Sequence, residues 1–315
     1  MTIKKRYIES LIDDLSPQPK HMNIISNNLS SGVWSANGDR FWPVSESHKQ
    51  LPAGLYVTKY SDTIGPFLER TSTETDNLFV LPDSINEEVI NEIKIFRELR
   101  EEFKKNGYLH KRGILLWGPP GSGKTSTVHQ LIDLVVNHHD GIAIIINNPH
   151  TAVDCLQMVR KLEKTRPIIA IMEDLEALIE EWGEPQYLSL LDGETQIDDI
   201  VFVATTNYPE TLDPRFIDRP SRFDTIREIG MPSVAARKYY LTKKGISMSK
   251  EDIDYFVSNS QGFSIAHLRE LVILFCLFHK TKEETIKRLQ AFKVEKNSKN
   301  SGKASSIGFG FNVRN

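Results

Sequence analysis

The sequence predicts an α/β fold in which a parallel β-sheet, buried on both faces, is followed by a small helical domain. Four short apolar runs alternate with helical stretches, at residues 113–117, 141–146, 167–172 and 200–204. Runs that are apolar on both faces and joined by helices are typical of parallel strands covered on both sides. From Pro232 onward the hydrophobic period is helical only. The helices of this last part are predicted to begin at Ser233, Ser249, Ser264 and Thr281.

The order of these patterns divides the 315 residues into four parts. A capping box at Ser84 and Glu87 marks the start of the first long helix and of the sheet domain. Before it, short apolar alternations separated by turn formers predict a β-containing module. The predicted parts are an N-terminal module at 1–82, the sheet domain at 83–231, the helical domain at 232–295 and a flexible tail at 296–315.

The two ends of the chain each leave two interpretations open. The aromatic residues Trp34, Phe41 and Trp42 form either a small core or a surface that binds a partner. Residues 288–315 contain six Lys and Arg side chains and one Glu, a net charge of +5. This basic end is either a solvated tail or a contact for nucleic acid.

The overall composition argues against a membrane-spanning or a strongly basic, nucleic-acid-binding chain. Lys and Arg number 39 and Asp and Glu 42, so the formal net charge is −3. The longest apolar run, 271–278, is far shorter than the roughly 18 residues of a transmembrane helix, and no signal-peptide pattern begins the sequence. Because the only cysteines are Cys155 and Cys276, we expect buried thiols and a reducing, cytoplasmic location.

The segment after the first apolar run has the spacing Gly-x-x-x-x-Gly-Lys-Thr and stands between a predicted strand and a predicted helix. Glycines in such a loop let backbone N–H groups converge on phosphate oxygens at a helix N-terminus. We expect Lys124 to reach the β- and γ-phosphates of a nucleoside triphosphate, and the Thr125 hydroxyl to ligate Mg²⁺. The predicted nucleotide-binding residues are Gly118, Pro119, Pro120, Gly121, Ser122, Gly123, Lys124, Thr125 and Ser126.

Polar residues follow the third and fourth apolar runs, at the edge where parallel sheets bind their ligands. Glu173 and Asp174 end the third run. One of these carboxylates is expected to hold Mg²⁺ through water, and the other to polarise the water that attacks the γ-phosphate. Asn207 ends the fourth run and is suited to position an amide near that water.

Two arginines, Arg219 and Arg222, follow this edge with a proline between them. Their spacing offers no route to the nucleotide of their own chain. Arginine stabilises the charge of a γ-phosphate when a second subunit supplies it. The pair therefore indicates a multimer.

In this order the motifs resemble those of the AAA family of ATPases, within the AAA+ group, and the resemblance covers residues 84–292. It implies an αβα nucleotide domain with a helical lid, and ATP with Mg²⁺ bound between them. It further implies that Asn207 is a sensor and that Arg219 and Arg222 act as arginine fingers on a neighbouring subunit, usually in a hexameric ring. Alignment with the family's strand assigns Glu173 to the Mg²⁺ and Asp174 to the attacking water.

The sequence departs from the commonest family pattern in two places. The order Glu173 then Asp174, together with residues 111–116, is similar to the mitochondrial AAA translocase of the Rieske iron–sulfur protein, but we find no membrane helix like that of the translocase. Threading relatives carry an aromatic pore loop between the second and third strands. Residues 147–154 contain no aromatic side chain, so threading of a peptide through a pore is not expected.

Residues 262–269 of the helical domain resemble the family's lid segment, with Ala266 at the second-sensor position. His267 is expected near the adenine or ribose, with packing inside the lid as the alternative.

These features predict a ring-forming AAA ATPase that couples hydrolysis of Mg-ATP to the remodelling or disassembly of a protein partner bound through residues 1–82. Two alternatives stay open. One is an ATP-driven nucleic-acid machine or loader, in which the basic tail contacts phosphates. The other is a switch that assembles when it binds ATP and hydrolyses ATP only to reset.

Overall fold

In the computed structural model the chain divides into two units, residues 1–52 and 53–315. The structure describes residues 33–37, 40–44, 47–63, 65–72, 81–82, 85–192, 197–219 and 221–300. In the first unit, β1 (Val33–Asn37) pairs antiparallel with β2 (Arg40–Val44). Several predicted features lie outside this description: the side chains of Trp34, Phe41 and Trp42, the apolar segment at 77–80, the capping residue Ser84, and the tail beyond residue 300.

The second unit is built on a seven-stranded sheet. Its strands are β3 (Gly54–Ser61), β4 (Gly65–Thr71), β5 (Lys111–Trp117), β6 (Ile142–Ile145), β7 (Ile168–Met172), β8 (Ile200–Thr206) and β9 (Thr225–Glu228). Their order is β4-β3-β6-β7-β8-β5-β9, and every neighbouring pair except β3 with β4 is parallel. The predicted α/β fold is confirmed, and the four apolar runs form β5, β6, β7 and β8.

Helices connect these strands. Before β5 lie α1 (Ile85–Glu98) and α2 (Arg100–Lys105); after it lies α3 (Lys124–Asp133), which continues as a π turn over Leu134–His138. Between β6 and β7 lies α4 (Pro149–Leu162), and between β7 and β8 lie α5 (Leu175–Trp182) and α6 (Glu184–Asp192). A 3₁₀ turn (Pro209–Thr211) and the short α7 (Pro214–Ile217) link β8 to β9.

The central strands are buried on both faces, as predicted. Every residue of β7 and β8 is buried. On one face, Ile169 and Val201 pack in a cluster with Ile93 of α1 and Leu131 of α3. Because successive strand residues point to opposite faces, Ile168 is buried on the other side of the sheet. Such double burial explains why these strands carry no polar alternation.

The boundary of the N-terminal module differs from the prediction at 1–82. β3 and β4 belong to the main sheet, because β3 pairs in parallel with β6 over Gly54–Val57. Leu55 and Tyr56 are buried there. The alternating pattern correctly predicts β3 as a strand. The sheet that β3 joins depends on its pairing with β6, which lies far along the chain.

The helical domain consists of α8 (Val234–Lys244), α9 (Lys250–Asn259), α10 (Ile265–Val272, continuing as a π turn over Ile273–Leu277) and α11 (Lys282–Asn300). The side chains of Ser233, Ser249 and Ser264 cap their helices, which confirms the predicted starts. The tail predicted from residue 296 is helical as far as Asn300. Within the described ranges, no helix combines the length and the apolar character needed to cross a membrane.

The two thiols occupy different environments. Cys155 is buried on α4, where burial raises the pKa of its thiol to about 11. Cys276 is only half-buried, and both are free thiols. The prediction of buried thiols is confirmed for Cys155 alone.

A buried carboxylate, Asp199, anchors the helices at the amino-terminal edge of the sheet. Its oxygens accept hydrogen bonds from Arg97 of α1 and from Arg100 Nε of α2 at 2.9 Å, and His110 Nδ1 lies 3.1 Å away. Arg160 of α4 donates to its backbone carbonyl at 3.0 Å. Burial opposes ionisation, but the contact with His110 and the charges of the arginines outweigh it and lower the pKa of Asp199 to about 2.

We predict that Asp199→Asn lowers the free energy of unfolding by about 3 kcal/mol, because it leaves the partly buried guanidinium groups of Arg97 and Arg100 without their anion. Chemical denaturation at neutral pH measures this, with the exposed Asp154→Asn on α4 as the control, which should stay within about 0.5 kcal/mol of wild type.

The same carboxylate predicts a pH dependence. The folded pKa of Asp199, about 2, is below its ordinary value of 3.8. Its ionised form therefore stabilises the fold above about pH 4, and that contribution is lost as the pH falls toward 2. The gap between wild type and Asp199→Asn should shrink over this window; a gap that stays constant would contradict the assignment.

Candidate functional site

The loop between β5 and α3 takes a shape that glycine permits. Gly118, Gly121 and Gly123 have φ values of 151°, 77° and 118°, a region that other residues rarely adopt. A Cβ added at Gly118 would lie 2.3 Å from the carbonyl oxygen of Ile229. Gly123 is the N-cap of α3 and no side chain caps this helix. The first-turn N–H groups of α3 are thus suited to bind an anion.

A cavity of about 580 Å³ lies between this loop and the helical domain. Its wall contains many of the predicted residues: Pro120, Gly121, Ser122, Gly123, Lys124, Thr125, Ser126, Asp174 and Asn207. The helical domain adds polar side chains that the sequence did not single out, among them Tyr240 and Lys244. Predicted residues that are not part of this wall are Gly118, Pro119, Glu173, Arg219, Arg222 and His267.

Lys124 is held at the carboxyl edge of the sheet by three oxygen atoms. Its Nζ donates to the carbonyls of Gly118 at 2.8 Å and Pro119 at 3.2 Å, and to Asn207 Oδ1 at 2.7 Å. The ammonium group is buried in this position. A bound phosphate would offer stronger, charged acceptors to the same group.

The two predicted acids point to different neighbours, as consecutive residues at a strand end must. Asp174 has a left-handed φ of 49°; its N–H donates to Thr205 Oγ1 and its Oδ1 accepts from Asn207 Nδ2, both at 3.0 Å. Glu173 lies near His129 of α3, where burial lowers the pKa of the imidazole and the charge of Glu173 opposes the shift. His129 was not predicted from the sequence, because it occurs in no recognisable pattern.

A third acid, Glu176, supports Asn207. Its Oε1 accepts the backbone N–H of Asn207 at 3.1 Å, while its Oε2 is buried without a hydrogen-bond partner. Burial lowers the pKa of Lys124, and the charges of Asp174 and Glu176 oppose that shift. Sequence reasoning missed Glu176 because an acid in the first turn of a helix is ordinary.

The helical domain touches the loop through the start of α10. The N–H of Ala266 lies 3.5 Å from the carbonyl oxygen of Gly121, and a Cβ added at Gly121 would lie 3.0 Å from Ala266 Cβ. His267 instead completes the N-cap of α10, with Nδ1 2.7 Å from Ser264 Oγ. This contact is of the kind expected from packing within the helical domain, and the contact of His267 with the adenine or ribose stays a prediction.

Arg219 and Arg222 lie away from the cavity of their own chain, on a second carboxylate, Asp192 at the end of α6. Arg219 donates to Asp192 Oδ2 at 2.9 Å. Arg222 donates to both oxygens of Asp192, at 2.9 and 2.5 Å. The side chain of Arg219 is 62% exposed, whereas that of Arg222 is 6% exposed.

The residues present fit a divalent cation shared with a ligand. Oε1 of Glu173 is buried with no hydrogen-bond partner, and a cation is one way to satisfy it. Among the described residues no group of three or more His, Cys, Asp and Glu side chains could hold a metal ion. Mg²⁺ commonly takes one or two protein ligands and completes its shell with phosphates and water, a role open to Thr125 and Glu173.

Comparison with known proteins finds one family whose model matches the central part of the chain. Residues 114–231 match the family described as "ATPase family associated with various cellular activities (AAA)". This segment begins within β5 and extends past β9, and it contains the glycine-rich loop and both arginines.

Several curated proteins are similar over a longer stretch. The ATPase family gene 2 protein of Saccharomyces cerevisiae is 32% identical over 54% of the chain and 24% of its own length. The Cell division cycle protein 48 homolog of Archaeoglobus fulgidus is 28% identical over 70% of the chain and 33% of its own length. The ATP-dependent zinc metalloprotease FtsH 1 of Conexibacter woesei is 28% identical over 59% and 31% respectively. The chain thus spans between a quarter and a third of the length of these relatives.

We predict that Gly118→Ala destabilises the protein by about 1–3 kcal/mol, because the methyl group meets the Ile229 carbonyl and the backbone is strained. Thermal unfolding measures this. Gly230→Ala is the control: a Cβ there meets no atom within 4 Å, so its stability should match wild type. Equal stability of both variants would show that the loop has another shape.

Proposed function

We propose that this chain hydrolyses ATP through an AAA-type domain that includes residues 114–231, and that it couples this hydrolysis to the remodelling or disassembly of a protein partner. The observation that carries the proposal is the convergence of Lys124 and Asp174 on Asn207, within a cavity that the helical domain closes.

Each side chain has a role in this proposal. Lys124 and the α3 N-terminus bind the phosphates, and Thr125 with Glu173 holds Mg²⁺, which when bound neutralises phosphate charge and orients the γ-phosphate. Asp174 accepts a proton from the attacking water. Asn207 orients that water. The position of Asn207 is itself fixed by the hydrogen bond from its backbone N–H to Glu176.

We further propose that the enzyme works as a homo-oligomeric ring, hexameric as in the family resemblance. Neither Arg219 nor Arg222 contributes to the wall of its own cavity. A head-to-tail arrangement that closes on itself would bring this arginine segment to the cavity of the next subunit.

The partner, in this proposal, is recognised through the N-terminal part that precedes β3 and is not threaded. The segment predicted to lack a pore loop is the start of α4: Asn148 caps the helix by accepting the N–H groups of His150 and Thr151, and Pro149 occupies the first turn. Within the family, the order of Glu173 and Asp174 favours the Rieske-translocase type. The buried thiol of Cys155 is compatible with the cytoplasm.

The function is tested by measuring ATP hydrolysis alone and with candidate proteins, including a Rieske-type iron–sulfur protein, beside single- and double-stranded DNA and RNA. Stimulation by a protein and not by nucleic acid supports the proposal. Stimulation by nucleic acid alone would favour the nucleic-acid machine instead.

We predict that Asp174→Asn retains binding of Mg-ATP but slows hydrolysis by a factor of roughly 100 or more, since it removes the proton acceptor. Glu173→Gln should instead raise the Mg²⁺ concentration needed for ATP binding. Single-turnover hydrolysis and ATP affinity across a Mg²⁺ titration distinguish them. The opposite pattern would reverse the assignment. In that case Asp174→Asn hydrolyses ATP rapidly, whereas Glu173→Gln binds ATP with a normal Mg²⁺ dependence but cannot cleave it.

We also predict that the protein hydrolyses ATP without unfolding a tagged model protein, because no aromatic side chain occurs at 147–154. Loss of fluorescence from a tagged fluorescent protein is the measurement. Robust unfolding that persists when Pro149 and His150 are replaced by Ala would rule out this expectation.

A further inference from the structure

We infer that the two arginines have different roles: Arg222 is a buried clamp inside its own subunit, and Arg219 alone is presented to the nucleotide of a neighbouring subunit. This inference rests on the proposed function, since it assumes a nucleotide site completed by a second copy. It departs from the sequence-based expectation that both arginines act as fingers.

The contacts of Arg222 are those of a structural residue. All of its nitrogen donors face the interior of the same chain: Nε and one terminal nitrogen bind the two oxygens of Asp192, and the other terminal nitrogen binds the Arg215 carbonyl. The hydrogen bond from Arg222 is the main reason why the pKa of Asp192 is lowered. To reach another subunit, Arg222 would have to leave Asp192 and expose a side chain that is now 6% exposed.

The backbone around Arg222 is fixed to the sheet as well. A Cβ added at Gly113 of β5 would lie 1.7 Å from the Arg222 carbonyl oxygen, so the two backbones are in contact. Asp224 accepts the N–H of Gly113 at 2.9 Å. Lys111 Nζ donates to the carbonyls of Leu191 and Ser221. These contacts hold the arginine segment against β5 and the end of α6, so the backbone that carries Arg222 is fixed within its own subunit.

Arg219 differs in exposure and in charge balance. One carboxylate, Asp192, is shared by Arg219 and Arg222, so these three side chains carry a net charge of +1. Arg219 is the exposed member of the three. The equally exposed Arg215, at 60%, is neutralised by two acids, Asp213 and Glu184. Among the residues that the structure describes, Arg219 is therefore an exposed arginine that has no carboxylate to itself, which suits it to bind an anionic phosphate.

The test compares single variants of Arg219, Arg222 and Asp192 and one double variant, with Arg215→Ala as the matched control for an exposed arginine in the same segment. For each we measure the unfolding temperature, the rate of ATP hydrolysis per subunit across protein concentrations, and the activity of mixtures with Lys124→Ala. Arg219→Ala should unfold near the wild-type temperature and lose hydrolysis by a factor of roughly 100 or more. Mixing it with Lys124→Ala should restore activity, because one protein supplies the site and the other the arginine.

Arg222→Ala should instead unfold roughly 6 °C or more below wild type, because it leaves Asp192 without its buried partner. Asp192→Asn should have a similar effect, and the double variant should lose little more than either single one. Arg222→Lys keeps a positive charge next to Asp192, so it should unfold at a higher temperature than Arg222→Ala. It should also retain hydrolysis, because Arg219 is intact. Arg215→Ala should resemble wild type in every measurement.

Two results would overturn the inference: full hydrolysis by Arg219→Ala, or an Arg222→Lys protein that unfolds near the wild-type temperature yet cannot hydrolyse ATP and is complemented by Lys124→Ala. Failure of the proposed function is seen separately. In that case wild-type hydrolysis is absent or independent of protein concentration, while the unfolding temperatures still report whether Arg222 is the clamp.

Discussion

Three hydrogen bonds that meet at Asn207 hold the candidate site together. Its side-chain oxygen accepts from Lys124 of the glycine-rich loop, its side-chain nitrogen donates to Asp174 at the end of β7, and its backbone N–H donates to Glu176 of α5. Asn207 thus joins two segments that are distant from it in sequence, the glycine-rich loop with Lys124 and residues 174–176. Because each partner carries a charge, the geometry is maintained by the stronger, charge-assisted type of hydrogen bond. A bound phosphate would offer the ammonium group of Lys124 a stronger acceptor than the side chain of Asn207.

The parallel sheet explains why these groups meet at all. Its six parallel strands all end at one edge, so that loops from different parts of the chain converge there. At that edge, buried polar atoms of Ser122, Glu173 and Glu176 have no hydrogen-bond partner within the described residues. Unpartnered polar atoms are costly unless a ligand satisfies them. At the opposite edge, Asp199 forms ion pairs with basic groups and stabilises the fold. One edge of the sheet thus carries the candidate ligand site, and the other anchors the helices.

The arginine segment likewise combines a structural side chain with an exposed one. Asp192 binds one guanidinium that is buried and one that is exposed. The buried partner fixes the position of the segment, and the fixed segment in turn determines where the exposed partner can reach. In the proposed ring, such an arrangement would present Arg219 from a rigid base, and the ordered backbone would reduce the conformational entropy lost on contact with a second subunit.

Local signals in the sequence were sufficient to determine the glycine-rich loop, four buried strands, and the helix starts at Ser233, Ser249 and Ser264, because turn geometry, capping and hydrophobic period act within a few residues. They also predicted that Lys124, Asp174 and Asn207 belong to one site, at the shared edge of parallel strands. The tertiary structure alone decided that β3 and β4 join the main sheet, that Glu176 supports Asn207, and that His267 caps a helix. It also decided which of two arginines is buried. Strand pairing, burial and charge balance depend on residues far apart in the chain, and no local pattern encodes them.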